Sequence, residues 1–220
     1  DGSESDGDSS ESSEKDTAPF VGSAFIVFDA SGSRYGVFKT LVLSRDELAA
    51  RAERRFADGA ALRCRLAALA AGVQAVFLVR SGRVAAGVFD GATGRALAER
   101  TLKRYTTRRK QGGSQAARDA SRTGAVHSAG ASLRRAGEKH LAEDVSSLLA
   151  SWGALLARAT HIFWTDTATA RDTLFAAESP LCASDPRLRT VPFTTYAPTL
   201  EELRRVHSHL FAVHSVASDP

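Results

Sequence analysis

Two apolar runs, residues 74–79 and 84–89, face each other across Arg80-Ser81-Gly82-Arg83. Short runs rich in valine and phenylalanine, split by a glycine-containing turn, commit this part of the chain to an antiparallel hairpin. The rest is read outward from it. Upstream, residues 23–28 and 35–43 are strand-like and joined by a turn over 29–33. Ser44 followed three residues later by Glu47 is a capping box. It opens a helical stretch through Leu48, Ala52 and Phe56, renewed after Asp58-Gly59 by Leu62, Leu66 and Leu69. Residues 97–106 add a strand beside the hairpin. A long helix follows from near Ser128 to about Ala150, with Leu133, Leu141, Val145, Leu148, Leu149 and then Trp152 at helical spacing. That stripe leaves Arg134, Arg135, Glu138 and Lys139 to other faces. Residues 161–165 form a buried strand, with Trp152 and Trp164 as core. A last helix starts behind Pro198 with a second box, Thr199 and Glu202, and buries Leu203, Val206, Leu210 and Val213. The fold class is α/β, a mixed sheet of five or six strands flanked by helices.

With 220 residues, 43% hydrophobic, the chain suits one globular domain over residues 20–216. Residues 1–19 differ in kind. The first eighteen hold seven acids against Lys15 in a serine- and glycine-rich context, which reads as a disordered linker. The net charge of +4 therefore leaves about +10 on the remainder. No apolar run approaches the roughly 20 residues of a membrane span, and no secretory leader is visible. Two cysteines, Cys64 and Cys182, are too few for a disulfide framework or a four-cysteine zinc site; they read as buried or incidental thiols in a reducing compartment. The chain lacks methionine, even at position 1, and reads as a fragment of a longer protein.

The basic charge is concentrated. Lys103, Arg104, Arg108, Arg109, Lys110, Arg118, Arg122, Arg134, Arg135 and Lys139 are opposed in that interval only by Asp119 and Glu138. Within it lies Lys110-Gln111-Gly112-Gly113-Ser114-Gln115. Gly112 and Gly113 let a backbone approach a ligand closely, the cations attract phosphate, and Gln115 presents an uncharged amide just beyond. Ser114 can cap a short helix starting near Gln115, whose N-terminus would itself favour a phosphate. The coincidence of charge run and glycine loop points to nucleic-acid or phosphate binding.

Arg104-Tyr105-Thr106, the loop from Lys110 to Gln115, and Ala117-Arg118-Asp119 resemble the ankyrin-repeat and zinc-finger peptidyl-tRNA hydrolases. The resemblance continues through residues 127–135, 185–188 and 198–203, and upstream through 78–83 and 86–89; it spans essentially residues 20–215. It implies a catalytic domain like the middle domain of the eukaryotic class-one release factor, related in shape to ribonuclease H. It also implies action on peptidyl-tRNA held by stalled large ribosomal subunits, and so a cytoplasmic, ribosome-associated protein. The family's key glutamine falls on Gln115 and its glycine loop on Gly112 and Gly113. Ser114 stands between glycine and glutamine, where the release-factor loop has no insertion. The zinc finger, ankyrin repeats and AAA ATPase-recruiting segment of full-length members are not evident in this chain.

Two chemistries meet this loop. Water can attack the ester joining peptide to tRNA, with Gln115 orienting it, since an amide does not titrate near neutral pH. Alternatively a ribose 2′-hydroxyl attacks the neighbouring phosphate near the tRNA 3′ end. That route needs no metal or cofactor but gains from cations and a proton acceptor. Arg109, Lys110, Arg118 and Arg135 supply the former and His127 the latter, histidine ordinarily titrating near neutrality. The density of cations favours the nuclease. His127 also reads as a structural cap, and Asp119 as an arginine's ion-pair partner. Arg108 and Arg134 complete the expected tRNA contacts. A non-catalytic tRNA- or ribosome-binding module is the rival from another class. His207, His209 and His214, read as lying on one helix, lack metal-site spacing and read as surface histidines; Gly91 to Gly94 is a hairpin turn.

Overall fold

In the computed structural model, which describes residues 24–50, 59–80, 82–104 and 129–216, two sheets share one body. The chain begins with β1 (Phe25–Ala30) and β2 (Ser33–Phe38), paired antiparallel from Phe25↔Phe38 to Ala30↔Ser33. Only Ser31 and Gly32 turn between them, both at positive φ (53° and 76°), so the strands run further than the composition of residues 29–33 suggests. One helical turn, α1 (Lys39–Val42), and α2 (Arg45–Ala49) follow. After residues 51–58, outside the described residues along with the expected Ala52 and Phe56, come α3 (Ala60–Ala71), β3 (Val73–Arg80), β4 (Arg83–Asp90) and β5 (Ala96–Lys103). The second half adds α4 (Ala129–Ser151), α5 (Gly153–Arg158), β6 (Ala159–Trp164), α6 (Ala168–Leu174), β7 (Leu188–Thr190), α7 (Leu200–Phe211) and β8 (His214–Val216).

The hairpin sits where it was expected to matter most. β3 pairs antiparallel with β4 in unbroken register from Val73↔Asp90 to Arg80↔Arg83, and parallel with β6 on its other side. The sheet order is β5-β4-β3-β6-β7, and a second sheet has the order β1-β2-β8. Because side chains alternate along a strand, β3 serves two cores. Val73, Ala75, Phe77 and Val79 pack with Leu141, Val145 and Leu149 of α4 and with Leu174 of α6. Val76 and Leu78 join Leu62 and Leu69 of α3, Leu203, Val206 and Leu210 of α7, and Phe38 and Leu41. A mixed sheet between two helical layers is the α/β class read from the sequence.

Several local expectations are corrected. Residues 39–43 are not strand: Thr40, Leu41, Val42 and Leu43 are all buried through a helical turn, and so short an apolar run carries no period that separates helix from strand. Leu133 is 59% exposed, because α4 reaches the core only from Leu141 onward. Val213 is 57% exposed: α7 ends at Phe211, and the chain turns away so that His214 can pair with Gly36. Trp152, expected in the core, is half-buried against it, while Trp164 is buried. Cys64 and Cys182 are both exposed and free, so the buried alternative fails for each. Residues 91–94 do turn between β4 and β5, with Asp90 Oδ1 accepting from Thr93 N–H at 2.9 Å.

The two capping boxes differ. At Ser44 both bonds form: Glu47 N–H donates to Ser44 Oγ at 3.2 Å, and Ser44 N–H donates to Glu47 Oε2 at 2.8 Å. At Thr199 only half does. Thr199 Oγ1 accepts from Glu202 N–H at 3.1 Å, but the Glu202 carboxylate turns to Tyr196 N–H and Arg205. Glu47 also accepts Arg65 of α3 at 2.7 Å, so a local cap doubles as a tie between helices. Arg65, and then the Ser44 amide, hold the Glu47 carboxyl down at about 2, against an ordinary value of 4.5. Its contribution is complete above pH 4.5 and fades as the pH falls toward 2. Glu47→Gln is expected to cost about 0.5–1 kcal/mol near pH 7, a small value because Arg65 is nearly half exposed. Urea unfolding of both proteins from pH 7 down to pH 2 should show the gap closing on the acid side.

The Asp185-Pro186-Arg187-Leu188 motif has a visible structural role. The Arg187 guanidinium donates to Leu156 O at 2.7 Å and Ala159 O at 3.1 Å while paired with Asp185. It thereby closes the C-terminal end of α5 and sets β7 beside β6, with Ile162 N–H donating to Arg187 O at 2.9 Å.

Candidate nucleic-acid interface

Strand direction decides where the functional residues meet. β5 and β3 are both antiparallel to β4, while β6 and β7 run parallel to β3. The C-terminal ends of β3, β5, β6 and β7, at Arg80, Lys103, Trp164 and Thr190, therefore lie along one edge. In open α/β sheets that edge is where ligands bind. Here the chain leaves β5 at Arg104 to enter residues 105–128, and it returns at Ala129, the first residue of α4.

Arg104 is fixed by three bonds. Its N–H donates to Gly82 O at 2.8 Å, and its guanidinium grips Asp144 of α4 with Nε to Oδ2 at 2.6 Å and Nη2 to Oδ1 at 2.9 Å. The arginine holds the Asp144 carboxyl below the usual carboxylate range. A bidentate pair sets direction as well as distance, so the strand end and the helix are held in one relative geometry. From Asp144 back to Ala129 is about 22 Å along the helix axis. Ahead of Leu141 α4 stands clear of the core: Leu133, Arg135, Glu138, Lys139 and His140 are exposed and Arg134 is half-buried. The consequence is a basic rod rising from the sheet edge.

Asp144→Asn should loosen this anchor without unfolding the domain, since the pair is partly exposed. The expected stability loss is about 0.5–1 kcal/mol by denaturant titration. The larger expected effect is faster hydrogen exchange at the end of β5, around Leu102 and Lys103, than in β3. Unchanged exchange there would refute the anchor.

Gln115, His127, Arg108, Arg109, Lys110, Gly112, Gly113, Ser114 and Arg118 lie outside the described residues. Of the expected tRNA contacts, Arg134 and Arg135 are placed, both in the first two turns of the α4 rod. The fold adds cations that in the sequence are only turn flanks: Arg80 and Arg83 of the hairpin sit at the same edge as Lys103. Their only signal in the chain was a turn bracketed by two arginines. A cleft of about 480 Å³ opens there, lined by Val79, Arg80, Thr165, Asp166, Thr195 and Pro198. Asp166 is occupied by Arg171, 2.6 Å away. A cleft of about 240 Å³, lined by Arg83, Lys103, Pro198 and Thr199, adjoins it.

The histidines need correcting. His207 is buried and stacked on Phe89, with ring centroids 3.9 Å apart, and burial pushes it down to about 4. His209 packs edge-on against Phe38 and Phe193, and His214 belongs to β8 rather than the helix. The surface reading therefore holds for His209, which is exposed, and fails for His207; His214 is half-buried and lies on a different element. Among the described residues, no group of three His, Cys, Asp or Glu is arranged to hold a metal ion, and no helix is long and apolar enough to cross a membrane.

Comparison with known proteins agrees with this architecture. The family described as Bacteroidetes VLRF1 release factor matches residues 74–218. The tRNA endonuclease vms1 of Schizosaccharomyces pombe is 39% identical over 145 residues, which is 62% of this chain and 24% of that protein. Human tRNA endonuclease ANKZF1 is 39% identical over 148 residues, 66% of this chain and 20% of its own length. The Caenorhabditis elegans tRNA endonuclease vms-1 is 34% identical over 147 residues, again 66% of this chain and 24% of the relative. This chain thus spans about a quarter or less of these curated relatives. A solved structure, the Vms1 mitochondrial localization core, superposes with a TM-score of 0.54 at 18% identity, over 90% of this chain and 77% of that one, and shares the fold.

Proposed function

Since this chain belongs to the Bacteroidetes VLRF1 release factor family, we propose that it binds peptidyl-tRNA along its basic sheet edge and cuts it with residues 105–128, freeing a stalled nascent chain. The observation that supports this most is the convergence of Arg80, Arg83 and Lys103 on the edge from which the glycine loop departs. The names of the relatives, tRNA endonucleases, supply the reaction class.

The chemistry is phosphoester cleavage by the substrate itself. A ribose 2′-hydroxyl near the tRNA 3′ end attacks the adjacent phosphorus as its proton passes to a base, His127 in this reading. The bond to the next nucleotide's 5′-oxygen breaks, and that oxygen takes up a proton. The products are a cyclic phosphate on the shortened tRNA and a peptide still carrying a few nucleotides. No metal enters the scheme. Gln115 donates its amide to the charge developing on the phosphoryl oxygens, and Gly112 and Gly113 let the backbone come close to them. Arg108, Arg109, Lys110, Arg118, Arg134 and Arg135 neutralise the tRNA backbone, with the Ser114 hydroxyl as a further phosphate contact. The natural context is the cytoplasm, on the large ribosomal subunit.

The test is incubation of stalled ribosome–peptidyl-tRNA complexes with this protein, followed by sequencing of tRNA 3′ ends. Shortening by a few nucleotides supports the endonuclease. Freed peptide with an intact tRNA end replaces it with ester hydrolysis. Stable binding without release of any kind makes the domain a binding module.

A further inference from the structure

Tyr196 is 67% exposed, yet its position is tightly organised. Its N–H donates to Glu202 Oε1 at 2.7 Å, and Glu202 is itself buried. The same carboxylate takes both arms of Arg205, Nε at 2.7 Å and Nη2 at 2.8 Å. The Arg205 guanidinium carbon lies 5.1 Å from the Tyr196 ring centroid and 6.0 Å from that of Phe193. One buried acid thus positions both the tyrosine backbone and the cation behind its ring. This explains why Glu202 leaves its capping box incomplete. The ring is stiffened from behind and open in front, the arrangement on which an unstacked base lies.

The surroundings identify what lies on it. Arg80 donates to Thr195 O, next to Tyr196. The two clefts that meet at Pro198 run from Arg80 to Arg83 and Lys103. Neither Arg83 nor Lys103 is in an ion pair with a described residue. Arg205 is neutralised by Glu202, so it contributes a plane, while Arg83 and Lys103 contribute charge. An aromatic plane beside a cationic track fits single-stranded nucleic acid, where bases stack and phosphates follow the charge.

We propose that Tyr196, backed by Arg205, is a stacking platform for one base of the unpaired 3′ end of the tRNA, feeding that end toward residues 105–128; the assignment rests on the function proposed above. The test uses the full chain and two fluorescent RNA hairpins with the same stem, one with a four-nucleotide unpaired 3′ extension and one blunt, read by anisotropy. Tyr196→Ala should weaken binding of the extended RNA about tenfold, or about 1.4 kcal/mol, and leave the blunt stem unchanged. Tyr196→Phe, which keeps the ring, should bind within about twofold of wild type. Wild-type affinity of Tyr196→Ala for the extended RNA overturns the platform, as does an equal loss on both RNAs. Unchanged RNA binding with lost affinity for ribosomal protein also overturns it, in favour of a protein partner. A wild-type protein that prefers the extended RNA but cuts no peptidyl-tRNA would sink the nuclease and support the platform. One that cuts peptidyl-tRNA without that preference would sink the platform alone.

Discussion

Gln115→Ala is expected to slow single-turnover cleavage of peptidyl-tRNA by at least about 100-fold, the usual cost of removing one donor aimed at developing charge. Affinity for the same complex should stay within about twofold, because the amide is uncharged and the salt-dependent part of binding belongs to the cations. The contrasting variant is Arg109→Gln with Lys110→Gln. It should weaken binding and lower the slope of affinity against salt by about two. A Gln115→Ala protein that cleaves at the wild-type rate would remove the glutamine from the mechanism. One that no longer binds would make it a positioning element of the loop instead.

Phe77→Ala is expected to destabilise the domain by about 3–5 kcal/mol, the cost of a large buried ring replaced by a cavity. Phe77 is 1% exposed and lies on the central strand, facing the core formed with α4 and α6. A loss of this size takes up much of the roughly 5–15 kcal/mol available to a domain, so partial unfolding at 37 °C is expected. Leu133→Ala is the control. Sequence periodicity places Leu133 in the α4 stripe, but it is 59% exposed and should cost less than about 0.5 kcal/mol. Urea midpoints for the two variants would decide between them. Similar losses would mean that the start of α4 is packed after all.

The same contrast explains what could be read from the chain. The β3–β4 hairpin was legible because its information is local: two apolar runs of matching length and a turn with Gly82 at positive φ. Helix starts were legible where side chain and backbone satisfy each other within four residues, as at Ser44 and Glu47. The box at Thr199 was half misread because Glu202 found partners in Tyr196 and Arg205, which lie outside the box. His207 looked like a surface histidine because nothing nearby in sequence announces Phe89, more than a hundred residues earlier. The catalytic reading of Gln115 and His127 comes from the glycine-loop motif, the local charge and the family resemblance; both residues lie outside the described residues.

By itself, the sequence determined the elements whose signals are periodic or reciprocal within a few residues, the basic interval with its glycine loop, and the family. Tertiary structure decided which ends of the strands share an edge, and so set Lys103 beside the Arg80 and Arg83 of the hairpin turn. It also decided that Arg104 would lock onto Asp144, forty residues away, and that Tyr196 would be backed by Arg205. These arrangements depend on the antiparallel pairing of β4 with β5 and on side-chain contacts between separate segments. Such contacts form only once both partners are folded, so no local pattern in the chain records them.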